Sequence, residues 1–256
     1  MLSENSFWAV LGPSTGNIVF CEGRVDGGIA EPANAWSSLA YVAAGLWILA
    51  RQRKGGGGPL LLAGATGLAI GAGSFALHAT ETFVGQILDD GSMFLLSCLT
   101  LTLALRRLLR WDMARCRAFY LALVMASTAS LLRFHGSGAL VFGIEMATAG
   151  TAEVLLWYRG EEGARYRALL ATLLTLGGAI VVWKLDLRGV GCGGSTEHLV
   201  NGHAVWHVLT AVSIATYCHY QEQFHPSRLA AGPHAVVHGG VRPACAAPRV
   251  LEGASA

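Results

Sequence analysis

The sequence predicts an all-α integral membrane protein, built as a bundle of seven transmembrane helices. Of its 256 residues, 53% are hydrophobic and only 13% are charged, whereas soluble domains carry about 25% charged residues. Long apolar stretches recur along the chain and are separated by short polar connections. The net charge of +2 is small, so no nucleic-acid partner is expected.

Seven apolar segments, taken in chain order, account for the predicted helices. Each comes close to the roughly 17 to 25 residues that a membrane-spanning helix needs, although the fourth is short and the third begins with polar residues. The predicted spans are 33–50, 59–78, 85–105, 118–132, 138–158, 168–185 and 203–220. They divide the chain into an N-terminal segment (1–32), a seven-helix domain (33–223) and a tail (224–256) whose composition predicts disorder.

Basic residues are unequally distributed between the two ends of the predicted bundle. Connections one, three and five together carry Arg51, Arg53, Lys54, Arg106, Arg107, Arg110, Arg115, Arg117, Arg159, Arg165 and Arg167. The opposite side carries only Arg24, Arg133, Lys184 and Arg188. Because basic connections stay in the cytoplasm, the N-terminus of this multi-pass protein is predicted outside or in a lumen, and the C-terminus in the cytoplasm.

Two of the six cysteines fall on the predicted outer side, where an oxidising compartment permits disulfides. These are Cys21 in the N-terminal segment and Cys192 in the last outer connection. A bridge between them would tie the two segments together. The alternative is a pair of unrelated thiols.

Polar residues that are costly at membrane depth converge on one level of the predicted bundle, near its outer side. Span two ends there, and spans three and seven begin there. The residues are Ser74 and His78 in span two, Asp89 and Asp90 in span three, and His203 and His207 in span seven. Both Ser74–His78 and His203–His207 are four residues apart, so each pair shares one helix face.

This set of residue types is typical of a catalytic metal site. Three imidazoles, here those of His78, His203 and His207, can bind Zn²⁺ and leave a fourth position open. A carboxylate such as Asp89 can orient or deprotonate water, and the Ser74 hydroxyl can donate to a developing oxyanion. The alternative is that the histidines are unrelated polar residues near the membrane interface.

The motifs that carry these residues resemble those of the alkaline ceramidase family, within a wider superfamily of seven-helix hydrolases and adiponectin-receptor-like proteins. Spans two and three read GAGSFALHATETFVGQILDDGSM, similar to the family's Gly-Ser-x-x-x-His, Gln-x-x-Asp and Met signature. The last span reads NGHAVWHVLTAVSIATY, similar to its His-x-x-x-His segment with an internal Trp. The stretches CEGRVDGGIAEPANAWSSLAYV and WKLDLRGVGC resemble two further family segments.

The resemblance implies a zinc-dependent amidase that cleaves ceramide, or a similar N-acyl membrane lipid, into a fatty acid and a sphingoid base. It implies His78, His203 and His207 as zinc ligands, Asp89 as the group that handles the attacking water, and Ser74 as the oxyanion donor. Asp90 takes the place of Asp89 if the helix start shifts. No obligate protein partner is expected. The alternative is a receptor-like or structural zinc protein without turnover.

The N-terminal segment departs from the family's calcium site. The resemblance implies calcium ligands around the Cys-Glu segment, and Glu22 and Glu31 are present. Val19 and Arg24 stand where the family has Asp and Asn ligands, and Ca²⁺ prefers six to eight oxygen ligands. We therefore predict a degenerate calcium site, in which the Arg24 guanidinium partly replaces the ion by pairing with Glu22 or Glu31.

Overall fold

The computed structural model describes residues 20–25, 28–53, 58–134, 136–160, 164–193 and 198–225, which fold into helices joined by short connections. The helices are α1 (Pro32–Ser37), α2 (Leu39–Arg53), α3 (Pro59–Thr80), α4 (Phe83–Leu109), α5 (Met113–Arg133), α6 (Gly138–Tyr158), α7 (Arg167–Asp186) and α8 (Gly202–Glu222). The predicted tail lies outside the described residues, apart from Phe224 and His225. The all-α membrane bundle predicted from the sequence is confirmed.

The helices α2 to α8 lie where the seven spans were predicted. Among the described residues, five stretches are long and apolar enough to cross a membrane: Pro32–Gln52, Pro59–Thr80, Phe83–Leu109, Gly138–Tyr158 and Arg167–Asp186. Helices α5 and α8 do not reach that level of hydropathy, since α5 begins among arginines and α8 carries three histidines. The count of seven crossings therefore stays a prediction.

Side-chain caps explain why two helices begin earlier than predicted. The Thr82 hydroxyl accepts the backbone N–H three residues on at 3.1 Å, so α4 begins at Phe83. The Asp112 carboxylate accepts the backbone N–H of Arg115 at 2.8 Å, so α5 begins at Met113. An N-cap satisfies an N–H group that has no partner within the helix. Apolar length alone carries no information about these caps, so both starts were predicted too late.

Glycines allow α3 and α4 to pack closely. A Cβ on Gly85 would lie 2.8 Å from a backbone atom of α3, and one on Gly73 would collide with the backbone of Leu88 and Asp89. Only glycine permits so close an approach of two backbones. The contact brings the start of α4 alongside the end of α3 and so places Asp89 beside the neighbouring Ser74.

Helices α6 and α7 lie at the periphery of the bundle, where they face lipid. Only 11% of the most apolar part of α7 and 28% of that of α6 is buried, against 56% for α4. Large apolar side chains are exposed along both helices, among them Leu140, Ile144, Leu174 and Val181. Helix α6 packs on α4 and α7 packs on α8, but α6 and α7 share no extensive contact with each other. An apolar cleft therefore lies between them.

Candidate metal centre

Three histidines meet inside the bundle at the end where α3 finishes and α8 begins. His78 lies in the last turn of α3, and His203 and His207 lie in the first two turns of α8. One ring nitrogen from each lies within 4.8 Å of the others. All three side chains are buried. The spacing of four residues places the imidazole rings of His203 and His207 on one face of α8. The third imidazole, that of His78, comes from the end of α3.

Hydrogen bonds to their Nδ1 atoms orient two of the three imidazole rings. His78 Nδ1 lies 2.5 Å from a Glu31 carboxylate oxygen, and His207 Nδ1 lies 2.8 Å from the Ser37 hydroxyl. Such partners fix the tautomer in which Nδ1 carries the proton and Nε2 is free to bind a metal. His203 Nδ1 is buried without a hydrogen-bond partner in the part of the chain that the structure describes.

The donor set fits Zn²⁺. The Nε2 atoms of His78 and His203 lie 3.1 Å apart. Tetrahedral Zn–N bonds of about 2.0–2.1 Å would hold neighbouring ligand nitrogens roughly 3.3 Å apart. Three neutral imidazoles also match the ligands of catalytic zinc sites, which keep a fourth position open. The Phe20 ring covers the group, with its centroid 3.9 Å from that of His203.

Ser74 and Asp89 lie directly beside the histidines. Ser74 Oγ is 3.3 Å from His207 Nε2, and the Asp89 carboxylate interacts with Ser74 and His78. Both residues face the same cavity. The next carboxylate, Asp90, lines the same cavity but accepts a hydrogen bond from Gln86 at 3.4 Å. The structure thus brings all six residues of the predicted level together and gives the two aspartates different hydrogen-bond partners.

Two hydroxyl groups at the C-terminal end of α1, those of Ser37 and of the cap residue Ser38, support the site, and neither was among the site residues predicted from the sequence. Ser37 Oγ lies 2.9 Å from the Asn34 carbonyl oxygen and 2.8 Å from His207 Nδ1. Because a hydroxyl has one proton, an Nδ1–H on His207 donates to Ser37, and Ser37 then donates to Asn34. Ser38 Oγ lies 3.0 Å from Ser74 Oγ. When Ser38 donates to Ser74, the single proton of Ser74 is directed toward His207 Nε2, 3.3 Å away, or toward the Asp89 carboxylate.

Glu22 and Glu31 each hold partners other than a cation. The Glu22 carboxylate accepts the backbone N–H groups of Ala33 and Asn34, both at 2.8 Å, and so anchors the start of α1. Glu31 contacts His78, as described above, and accepts from the Asn34 side chain at 3.3 Å. Both carboxylates are buried. Val19, the other departure from the calcium pattern, lies outside the described residues.

The predicted partner of Arg24 was wrong. Arg24 pairs with Glu81, at 2.6 Å, and not with Glu22 or Glu31. The Glu22 oxygens are already used by α1, whereas Glu81 lies in the connection between α3 and α4 and remains partly exposed. Burial, together with the neighbouring Glu31 carboxylate, raises the pKa of Glu81, and the Arg24 charge partly offsets this rise. The guanidinium therefore stabilises a carboxylate that lies next to Glu31.

We expect added Ca²⁺ to leave the thermal unfolding midpoint of the purified protein unchanged. A cation that bound the folded state would raise this midpoint, but the Glu22 oxygens are hydrogen-bonded and the positive charge of Arg24 lies close by. Differential scanning fluorimetry with millimolar Ca²⁺, and with a calcium-selective chelator, measures the effect. A midpoint that rises with Ca²⁺ and falls with the chelator would contradict the prediction of a degenerate site.

The N-terminal segment is tied to the connection between α7 and α8 by a disulfide between Cys21 and Cys192. The same region is fixed by Asp186, a buried residue at the end of α7. Its carboxylate accepts the backbone N–H of Cys21 at 3.0 Å and that of His203 at 3.0 Å. The bridge and Asp186 together hold the segment that carries Phe20 and Glu22 against the histidines.

An apolar cavity of about 420 Å³ opens beneath the histidines. Its polar end is formed by Ser74, Asp89 and the α8 histidines, while its other walls are largely apolar. Helices α6 and α7 contribute Phe142, Met146, Leu176 and Trp183 to these walls, from either side of the apolar cleft between them. An apolar molecule in this cavity would lie next to the polar residues at its end.

Fold and site together define a membrane-embedded helical protein whose buried histidine cluster, suited to a metal ion, faces an apolar cavity. A family model for ceramidases matches residues 12–235. The chain therefore belongs to the ceramidase family, and the resemblance seen in its motifs is confirmed. A comparison with curated proteins found no match. Family membership implies a hydrolase that acts on amide bonds and a lipid substrate.

Proposed function

We propose that this protein is a zinc-dependent intramembrane amidase, which cleaves the N-acyl bond of ceramide or a similar N-acyl lipid into a fatty acid and a sphingoid base or amine. The observation that carries the proposal is the meeting of three buried histidines with Ser74 and Asp89 at the polar end of an apolar cavity. Membership of the ceramidase family supports the substrate class.

Each polar residue has a role in the proposed reaction. When bound to His78, His203 and His207, Zn²⁺ supplies Lewis acidity and lets water act as a nucleophile near neutral pH. Asp89 accepts the proton that the attacking water releases and then donates it to the nitrogen of the leaving amine. The Ser74 hydroxyl donates to the carbonyl oxygen as negative charge develops there. Once His207 Nε2 binds the metal it no longer accepts from Ser74, which supports this role for the Ser74 proton.

The cavity supports a substrate that enters from the membrane. The cleft between α6 and α7 faces lipid, and the cavity walls offer apolar surface for alkyl chains. An amide group carried on such chains would lie at the polar end, next to Ser74 and Asp89. The basic residues at the opposite end of the bundle support the proposed orientation, with the metal site on the outer or lumenal side.

Detergent-purified full-length protein is expected to contain about one zinc per chain and to release fatty acid from a fluorescent ceramide. Elemental analysis measures the metal, and turnover is followed before and after treatment with a zinc chelator. Loss of both metal and turnover on chelation, with recovery on zinc addition, is the expected result. Zinc without turnover of any N-acyl lipid would favour a receptor-like or structural protein, and a folded protein without zinc would overturn the site.

A further inference from the structure

A second chamber, of about 130 Å³, continues the cavity toward the opposite end of the bundle. We call it the lower chamber. It shares walls with the cavity beneath the histidines, including Tyr41, Met93, Phe142 and Leu176. Its own walls add Thr100, Gly150, Glu153, Leu173 and Tyr217. The two chambers are consecutive parts of one channel that begins at the metal centre.

The channel is longer than the hydrocarbon part of one membrane leaflet. On α8 its lining runs from His203 to Tyr217, which corresponds to about 21 Å at 1.5 Å per residue. The hydrocarbon core of a bilayer is about 30 Å thick, so one leaflet contributes about 15 Å. On this helix the lining of the cavity beneath the histidines ends at His207, after about 6 Å, so an alkyl chain that spans a leaflet needs the lower chamber as well.

Three of the hydroxyl groups around the lower chamber already donate to backbone carbonyls of the bundle. Thr172 donates to the carbonyl of Ala168 at 2.9 Å, and Thr210 donates to that of Trp206 at 2.7 Å. Ser213 donates to the carbonyl of Thr172 at 3.2 Å. These side chains offer a polar ligand no free proton. The lower chamber is therefore suited to hydrocarbon rather than to a polar group.

A buried ion pair closes the far end of the channel. Arg107 donates two hydrogen bonds to Glu153, at 3.1 and 2.6 Å, and Tyr220 donates to the same carboxylate at 2.8 Å. The Arg107 guanidinium also lies 3.8 Å from the centroid of the Phe224 ring. Separating a buried pair of this kind to admit an alkyl chain would be strongly unfavourable. The cluster fixes the position where the channel ends.

Gly150 on α6 controls the width of the lower chamber. It lines the chamber, and a Cβ built on it would meet nothing within 4 Å. A side chain at this position would therefore occupy empty space rather than disturb the helix packing. We propose that the lower chamber, kept open by Gly150 and closed by the Arg107–Glu153 pair, holds the far end of the lipid alkyl chain and sets the longest chain that the site accepts. This inference rests on the lipid site proposed above.

The test measures binding of saturated fatty acids, from decanoic to octadecanoic acid, to the purified full-length protein. Affinity is read by displacement of a fluorescent fatty acid, so it does not depend on turnover. Gly150→Leu is expected to bind octadecanoic acid roughly tenfold or more weakly than the unmodified protein, which corresponds to the usual cost of overpacking, and to bind decanoic acid equally well. Gly150→Ala, which fills less space, gives a smaller loss for the long chain.

Gly177→Leu is the matched control. Gly177 lies on α7, also meets nothing within 4 Å of a built Cβ, and is exposed on the bundle surface. This variant is expected to keep the chain-length profile of the unmodified protein. The inference is overturned if Gly150→Leu keeps its affinity for octadecanoic acid or weakens both chain lengths equally.

Ceramide turnover by the unmodified protein, measured in parallel, separates the two proposals. A shifted binding profile without any lipid-amide turnover supports the channel and contradicts the amidase. Ceramide turnover together with an unshifted chain-length profile supports the amidase and contradicts the channel. Because each proposal has its own readout, failure of one is distinguishable from failure of the other.

Discussion

His207→Ala is expected to abolish both zinc binding and amide hydrolysis. The substitution removes one of the three proposed ligands, and removal of a group that merely orients a ligand already costs about 10- to 100-fold in metal affinity or activity. The Nε2 atom of His207 also lies 3.3 Å from Ser74 Oγ, so the substitution disturbs the oxyanion donor as well. Elemental analysis of the purified variant and turnover of fluorescent ceramide are the measurements.

His219→Ala is the control for this prediction. His219 lies on the same helix but near its far end, where it is 59% exposed and pairs with Glu222. The control is expected to bind zinc and turn over lipid as the unmodified protein does. Size-exclusion profiles and thermal unfolding verify that both variants fold. Full zinc occupancy in folded His207→Ala would remove this residue from the ligand set.

The convergence of the site was predictable because membrane spans have nearly uniform length and alternate in direction. Once the spans are assigned, the end of one and the start of the next must lie at one level. Ser74 and His78 could therefore be placed beside Asp89, although they belong to different helices. The four-residue spacing of His203 and His207 then indicated which face of α8 points inward.

The supporting contacts were not predictable by the same reasoning. Ser37 and Ser38 contact residues far along the chain, and nothing in their spacing connects them with His207 or Ser74. These contacts depend on how α1 packs against α3 and α8. The pairing of Arg24 with Glu81 was missed for a similar reason, since the hydrogen bonds that occupy Glu22 exist only once α1 has formed.

The apolar channel was also invisible in the sequence. It exists because α6 packs on α4 and α7 packs on α8, so that a cleft remains between α6 and α7. Hydropathy identifies both as apolar spans but does not reveal which of their faces pack and which face lipid. Gly150 gives no sequence signal either, because a helical glycine that packs against another backbone looks the same as one that lines a cavity.

Asp89→Asn is expected to abolish hydrolysis while the protein still folds and retains its zinc. Asparagine has nearly the same size and can still hydrogen-bond with Ser74, but it cannot accept the proton of the attacking water. General acid–base catalysis contributes about 10²- to 10⁴-fold in rate, and Asp89 is assigned both proton transfers. Single-turnover release of fatty acid, with zinc content measured on the same sample, tests this separation of chemistry from metal binding.

Asp90→Asn provides the comparison, because it makes the same chemical change at the neighbouring residue. Asp90 interacts with Gln86 and packs against Gly138, whereas Asp89 interacts with Ser74 and His78. The loss of turnover is therefore expected to be far smaller in Asp90→Asn. Unchanged turnover in well-folded Asp89→Asn would refute its proton-transfer role, and a larger loss in Asp90→Asn would assign that role to Asp90. In either case the zinc measurement shows whether the metal centre itself survives the substitution.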